Sequence, residues 1–232
     1  MEQKKIPESE ESMQNYVVTI ARGFGTGGKQ IALKLAEELH IECYENRILY
    51  LASQLSGVEP ERYIRNDERL AISGVHKLLK EIPILGGPKP EMDDFSSKDK
   101  MFDSQADIIQ KLADTESCII VGKCADYVLR NYTNVISVYI EAPRSYCVQR
   151  IMKRMHVGES QAHALISKTD KYRAEYYRYY THGNYWTNPV NYDITLNSQR
   201  LGERGCINMI KHCISERLGI DIDIRKENKE ET

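Results

Sequence analysis

Eight residues near the start of the chain have the composition and spacing of a phosphate-binding loop. Residues 23–30 read Gly-Phe-Gly-Thr-Gly-Gly-Lys-Gln and directly follow the apolar run 16–21. The four glycines let the backbone turn sharply and point its N–H groups inward, where they bind an anion. The helix predicted after the loop adds the positive end of its dipole, and Lys29 adds a full charge for the outer phosphates of a nucleotide.

One residue departs from the usual form of this motif. The spacing G-x-x-x-x-G-K is that of a phosphate loop, but Gln30 stands where Ser or Thr is usual. A hydroxyl there normally helps to hold Mg²⁺. Water, Thr26 or a distant carboxylate must complete the metal shell, or the metal binds more weakly, and no residue is assigned as a metal ligand. The alternative reading, a glycine-rich turn with an incidental lysine, is disfavoured by the strand before the loop and the helix after it.

A charged pair follows the second apolar run. Residues 117–121 are apolar almost throughout, and the segment 122–126 reads Gly-Lys-Cys-Ala-Asp. Because the carboxyl ends of parallel strands meet at one edge of a sheet, we expect Lys123 and Asp126 to face the same crevice as the glycine loop. Lys123 would meet a phosphate or a base edge, and Asp126 an amino group. The alternative is a helix N-terminus whose dipole Asp126 complements.

Arginine and tyrosine side chains are concentrated towards the C-terminal half. Phosphoryl transfer needs charge neutralised over the migrating group, which arginine does well. The charged residues in question are Arg150, Arg154, Lys168, Asp170, Lys171, Arg173 and Arg178. A solvated helix is the commoner fate of such a run, so the glycine loop is what favours a functional reading. Seven aromatic residues between positions 172 and 186 have mostly helical spacing, which favours packing over base stacking.

Composition narrows the class of protein. The chain has 232 residues, a formal net charge of -2 and six cysteines without zinc spacing. We therefore expect no nucleic-acid or membrane partner, and scattered free thiols suit the cytoplasm. No apolar stretch approaches the length of a membrane span, and the start lacks a signal peptide. Residues 1–14 and 225–232 are polar and are predicted to be disordered tails.

The order of elements predicts an α/β fold. Apolar runs at 16–21, 117–122, 135–140 and 192–196 alternate with helical patterns, which indicates βαβ units and a parallel sheet. Glycines and prolines between positions 83 and 90 predict a loop over 83–98, followed by a helix over about 99–114. Residues 15–224 are expected to form a single domain.

Four segments together resemble the cytidylate kinase-like family, a branch of the nucleoside monophosphate kinases. They are 21–29, 121–126, 170–177 and 191–198, and the resemblance runs in order over about residues 16–218. It implies a P-loop three-layer αβα fold with a five-stranded parallel sheet, an inserted acceptor-binding region at 44–114 and an arginine-bearing lid at 150–180. It also implies ATP with Mg²⁺ as the phosphoryl donor and a nucleoside monophosphate, CMP or dCMP, as the acceptor.

The resemblance further implies roles for individual residues. Lys29, Arg150 and Arg173 would be catalytic. The residues that hold the ATP phosphates would be Gly23, Gly25, Thr26, Gly27, Gly28, Lys29 and Gln30. The residues that bind the acceptor would be Tyr44, Glu45, Lys123, Asp126 and Asp170. Kinases of this group lack a hydroxyl directly after the loop lysine, so the family accommodates Gln30. Glu45 replaces the family's usual Asp, and Lys123 its usual Arg.

Two other functions stay open at the level of sequence. Gln30, Glu45 and Lys123 are compatible with a nucleotide-binding regulatory protein with weak or no catalysis. The long segment 58–100 suits a kinase for another small phosphorylated or hydroxyl-bearing metabolite. A homo-oligomer is compatible with either reading.

Overall fold

The computed structural model describes residues 15–56 and 93–222. Five strands form one parallel sheet in the order β2-β3-β1-β4-β5. The strands are β1 (Val17–Arg22), β2 (Glu42–Tyr44), β3 (Cys118–Val121), β4 (Val135–Glu141) and β5 (Ile194–Asn197). Each side of β1 pairs with a strand far away in sequence, Val17 opposite Cys118 in β3 and opposite Val135 in β4. The predicted five-stranded parallel sheet is confirmed.

Helices connect the strands and cover both faces of the sheet. They are α1 (Gly28–Leu39), α2 (Arg47–Ser56), α3 (Asp93–Thr115), α4 (Ala125–Val128), α5 (Arg144–Met155), α6 (Glu159–Tyr180) and α7 (Ser198–Leu218). A 3₁₀ turn, Pro189–Asn191, precedes β5. None of the helices in these ranges is long and apolar enough to cross a membrane.

Alternation of side chains along the strands builds two cores. Val18, Ile20 and their neighbours pack against α1 and α7 on one face, whereas Val17, Ile120 and others pack against α2, α3 and α4 on the opposite face. Because both faces are covered, the strands are apolar almost without interruption. This three-layer arrangement is the predicted αβα architecture, and it leaves the carboxyl edge of the sheet for ligands.

The start of α3 departs from the sequence prediction. The helix begins at Asp93, six residues before the expected start at 99, so the predicted loop over 83–98 is wrong for its last six residues. No Gly or Pro occurs after Pro90 in this stretch, and two acidic residues stand at the helix start, where they favour the helix dipole. The predicted tails, and residues 57–92 of the predicted acceptor-binding region, lie outside the described residues.

Candidate active site

The glycine loop connects β1 to α1 at the carboxyl edge of the sheet. Gly25 and Gly27 have φ values of 93° and 88°, in the left-handed region where glycine is favoured. A Cβ atom on Gly27 would lie 2.9 Å from Arg150 Nη2, so the absence of a side chain lets this guanidinium reach the loop. The backbone therefore has the shape that the sequence predicted.

Thr26 holds the loop together from inside. Its hydroxyl donates to the Gly23 carbonyl at 2.9 Å and accepts from the Gly28 N–H at 3.3 Å. The Ser198 hydroxyl, at the start of α7, donates to the Thr26 carbonyl at 2.7 Å. Thr26 is 1% exposed. Since these bonds occupy its hydroxyl, Thr26 supports the loop rather than offering an oxygen to a metal. Gln30 lies half-buried in the first turn of α1.

A carboxylate links Lys29 to an arginine that the sequence analysis did not single out. Lys29 Nζ donates to Glu45 Oε2, and Arg22 Nη2 donates to Glu45 Oε1 at 3.3 Å. Arg22 ends β1 and is 8% exposed. Its place at the carboxyl end of a central strand was the available signal, because such positions face the ligand crevice. Glu45 thus joins the glycine loop to Arg22 at the end of β1.

Three guanidinium groups surround the glycine loop. Arg150 Nε donates to the Gly25 carbonyl at 3.1 Å, and Arg173 Nη1 donates to the Arg22 carbonyl at 2.7 Å. Arg154 lies over the Phe24 ring at 5.5 Å, beside Arg173 at 5.7 Å from the same ring. Burial, together with the positive charges of Arg150 and Arg173, lowers the pKa of Arg154. Like charges brought this close favour a bound anion. Arg154 belongs to this cluster, although the sequence analysis gave it no catalytic or binding role of its own.

Asp170 on α6 lies against the donor loop. Its Oδ1 accepts from the Phe24 N–H at 2.8 Å and from Arg173 Nη1 at 3.4 Å. Burial raises the pKa of this carboxyl, although Arg173 and the Phe24 N–H act in the opposite direction. Helix α6, which belongs to the predicted lid, is therefore joined to the glycine loop by a charge-assisted hydrogen bond. The predicted role of Asp170 in acceptor binding stays a prediction, and its contacts here are on the donor side.

The turn after β3 has an unusual backbone. Gly122, Lys123 and Cys124 have φ values of 75°, 61° and 55°, three left-handed residues in succession. A Cβ atom on Gly122 would lie 2.5 Å from Arg22 Nη1, so this guanidinium packs directly over the turn. Left-handed residues other than glycine are strained, and such strain concentrates at functional sites. The turn brings Lys123, half-buried, to the same edge as Arg22 and the glycine loop.

Asp126 lies in the first turn of α4 and is buried, with 8% exposure. Its Oδ2 accepts from the Tyr177 hydroxyl at 2.7 Å, and the backbone N–H groups of Asp126 and Tyr127 donate to it. Burial raises the pKa of Asp126 to about 6 in spite of these bonds. The carboxylate complements the N-terminus of α4, as the alternative reading anticipated. It also joins the turn after β3 to α6 through its hydrogen bond with Tyr177.

Tyr44 closes β2 and is 5% exposed. Its hydroxyl donates to Glu116 Oε1 at 2.9 Å, and burial with this bond raises the pKa of Tyr44 to about 12. The ring belongs to the core beneath α2 and α3. Its hydroxyl therefore contacts the link between α3 and β3, and the role of Tyr44 in binding an acceptor stays a prediction.

Glu45 is the carboxylate of this site that could help to hold Mg²⁺. No cluster of three or more metal-ligating side chains occurs within residues 15–56 and 93–222. Mg²⁺ in nucleotide sites keeps several waters and binds through one or two carboxylates together with the substrate phosphates. Glu45 supplies one carboxylate beside Lys29. The residues present therefore fit a magnesium ion held mainly by the phosphates.

Comparison with known proteins identifies the family. The sequence profile described as the cytidylate kinase-like family matches residues 17–200. The chain belongs to this family. Its membership supports phosphoryl transfer in general, and it confirms the resemblance found from the four sequence segments. No curated protein matches the chain.

Several solved structures are similar to this member of the cytidylate kinase-like family. An uncharacterized protein from Eubacterium ventriosum ATCC 27560 is 25% identical, with a TM-score of 0.64 over 88% of this chain and 100% of that one. A sugar kinase from Janibacter sp. HTCC2649 is 18% identical, with a TM-score of 0.48 over 90% of this chain and 98% of that one. A shikimate kinase from Bacteroides thetaiotaomicron is 9% identical, with a TM-score of 0.46 over 88% and 99%.

Proposed function

We propose that this cytidylate kinase-like protein transfers the γ-phosphoryl group of ATP to a nucleoside monophosphate, CMP or dCMP. The observation that carries the proposal is the convergence of Lys29, Arg150 and Arg173 on one glycine loop, with Arg22 and Lys123 at the adjacent edge. Such an arrangement supplies backbone N–H groups for the donor phosphates and cations for both substrates. The family membership supports the reaction type, and the acceptor is the proposed part.

The proposed mechanism needs no covalent intermediate. Backbone N–H groups of Gly25 to Lys29 hold the donor phosphates, and Lys29 neutralises the outer ones. Arg150 and Arg173 reach the loop from the lid, where they offset the charge that develops on the migrating group. Positioning and electrostatics then supply the rate. Mg²⁺ bound with ATP would reduce the negative charge of the phosphates, and Glu45 would help to hold it.

The acceptor side is proposed to lie between Glu45 and the turn after β3. Lys123 would neutralise the monophosphate, in place of the family's usual Arg. Lysine offers a point charge rather than a planar fork, so it fixes the phosphate less rigidly than arginine does. Asp126 and Asp170 would then act on the acceptor through Tyr177 and through the lid helix, since these are the contacts they make.

A second candidate function follows from Glu45. A carboxylate beside the loop lysine repels a phosphate dianion, whereas a hydroxyl acceptor benefits from a carboxylate that takes its proton. The ion pair between Glu45 and Lys29 supports this reading, because Lys29 is the residue proposed to neutralise the outer phosphates. A kinase acting on a small hydroxyl-bearing metabolite is therefore the alternative.

A coupled assay of ADP release over a panel of nucleoside monophosphates, sugars and polyols tests both candidates. We expect turnover with CMP or dCMP, reduced by at least a hundredfold in Lys29→Ala because the loop lysine stabilises the transition state. Lys34→Ala, an exposed lysine on the same helix, is the matched control and should keep full turnover.

Turnover only with sugars or polyols would replace the leading proposal by the second. ATP binding in calorimetry without turnover on any acceptor would instead indicate a regulatory nucleotide-binding protein. Unchanged activity of Lys29→Ala would remove Lys29 from the mechanism.

A further inference from the structure

Within the described ranges, three buried side-chain atoms have no hydrogen-bond partner: Thr19 Oγ1, Gln105 Oε1 and Ser215 Oγ. Two of them are small hydroxyls on a central strand and on α7. Gln105 differs, because it is a whole amide, 6% exposed, on the inner face of α3. A buried carbonyl oxygen without a donor is unfavourable and rare, so its presence in a folded chain calls for an explanation.

The orientation of the amide is fixed by its other end. Gln105 Nε2 donates to the Met101 carbonyl at 3.3 Å, one turn earlier in the same helix. Reversing the amide would place two carbonyl oxygens against each other. Oε1 is therefore the atom that points away from the helix backbone and stays available for a donor.

Gln105 lies at about the same level along the sheet as the turn after β3, beside which the acceptor is proposed to bind. Helix α3 ends at Thr115, and only two residues separate it from β3, which starts at Cys118, so the two run in opposite directions. The ten residues from Gln105 to the helix end rise by about 15 Å. The four steps from Cys118 to Gly122 rise by about 13 Å. Gln105 is thus level with the turn that carries Lys123.

The lid helix contacts α3 one turn away. Phe102 stacks on Tyr180 with ring centroids 3.9 Å apart and meets Tyr176 edge-on at 6.2 Å. On the other side of Gln105, Ile108 and Ile109 enter the core. The Gln105 amide therefore lies one turn from the contact with α6 and next to the hydrophobic core, with its Oε1 buried and without a donor.

We propose that Gln105 determines acceptor specificity, with its Oε1 accepting a hydrogen bond from the 4-amino group of cytosine. The inference rests on the phosphoryl transfer to a nucleoside monophosphate proposed above. An exocyclic amine gives the buried oxygen its missing donor, whereas the 4-oxo group of uracil would oppose it with a second acceptor. A site built to hydrogen-bond a substrate group discriminates strongly against an analogue that lacks it.

The test compares CMP, UMP and the CMP analogue that carries hydrogen in place of the 4-amino group. For the wild-type chain we expect kcat/KM for CMP to exceed that of the other two by at least tenfold. In Gln105→Met, which keeps the length of the side chain, the three values should fall within about threefold, mainly through a higher KM for CMP. Gln110→Met, at an exposed position of the same helix, should keep the wild-type preference.

The outcomes separate this inference from the proposed function. Transfer to all three nucleotides with equal kcat/KM in the wild-type chain, or a preference for CMP that survives in Gln105→Met, would overturn the role of Gln105 and leave the kinase intact. No transfer to any of them would overturn the proposed function and this inference with it. The wild-type comparison needs no variant, so it decides even where Gln105→Met does not fold.

Discussion

Glu45 is the residue that joins Lys29 of the glycine loop to Arg22 at the end of β1. One carboxylate oxygen contacts Lys29 and the other contacts Arg22, so a single anion restrains two cations that a nucleotide would otherwise attract. Any phosphate that binds Lys29 has to compete with this carboxylate. Under the proposed function, Glu45 therefore affects both the affinity for ATP and the choice of acceptor.

Replacing Glu45 by Gln should tighten the binding of Mg²⁺-free ATP, because the carboxylate no longer competes with the phosphates for Lys29. The pair is partly exposed, with side-chain exposures of 39% for Lys29 and 20% for Glu45, so it contributes on the order of 1 kcal/mol. Loss of this ion pair frees Lys29 for the phosphates, so the Kd for ATP measured by calorimetry should fall roughly three- to tenfold. Glu42→Gln, which removes an exposed carboxylate from the neighbouring strand β2, is the control. A weaker or unchanged ATP affinity in Glu45→Gln would show that Glu45 does not compete with the donor.

The lid helix α6 is joined to the glycine loop by one carboxylate. Asp170 accepts from the Phe24 N–H, and Arg173, one turn later, reaches the carbonyl that ends β1. Helix α6, which belongs to the predicted lid, is thus in direct contact with the glycine loop and the end of β1. Its two contacts lie on the same turn, so they respond together when the helix shifts.

Removing that carboxylate should weaken both stability and donor binding. Asp170→Ala leaves the Phe24 N–H without its acceptor and removes one of the contacts of Arg173, which we expect to cost about 1–3 kcal/mol in the free energy of unfolding. The Kd for ATP should rise about tenfold because the loop loses its support. Denaturant unfolding and calorimetry measure the two effects. Glu175→Ala, at an exposed position of the same helix, should change neither, and wild-type values in Asp170→Ala would refute the linkage.

The sequence predicted the elements better than the contacts between them. Continuous apolar runs identified β1, β3 and β4, because strands covered on both faces leave no alternation to misread. The glycine loop and Lys29 were found from local spacing alone. Arg22, Tyr177 and Gln105 were missed, since their importance depends on which residues lie opposite them, and that depends on the packing of elements far apart in sequence.

The early start of α3 had a local cause that was visible. The prolines and glycines stop at Pro90, and two acidic residues follow at the point where the helix begins. The loop was predicted to continue to residue 98, although the glycines and prolines that indicated it end at Pro90. By contrast, no local pattern distinguishes Asp126 as a crevice residue from Asp126 as a partner of Tyr177, because both roles place it in the first turn of a helix.

At the scale of the molecule, the two halves of the site are connected across the crevice by aromatic side chains. Phe102 of α3 stacks on Tyr180 of α6, and the Tyr179 hydroxyl donates to Asp99 at 3.1 Å. Beneath them, Tyr177 bonds to Asp126, which follows the acceptor turn. The lid, the helix leading into β3 and the turn leaving β3 therefore form one contiguous surface over the sheet.

The buried Asp126 should make global stability depend on pH. Its pKa is raised to about 6 by burial, so the folded chain holds this proton over a range in which the unfolded chain has lost it. Such a group stabilises the fold below about pH 4, and its contribution is lost as the pH rises through about 6. Denaturant unfolding between pH 4.5 and 7.5 should show this decline in the wild-type chain and not in Asp126→Asn. Parallel curves for the two would contradict it.

The three left-handed residues at 122–124 have a consequence for the evolution of the chain. Positive φ at a residue other than glycine costs on the order of 1 kcal/mol, and a typical domain is stable by only about 5–15 kcal/mol. Lys123 and Cys124 therefore use part of a narrow margin. Glycine at position 123 would relieve that strain but would remove the ammonium group from the crevice. Under the proposed role of Lys123, a substitution that stabilises this turn would therefore lower turnover.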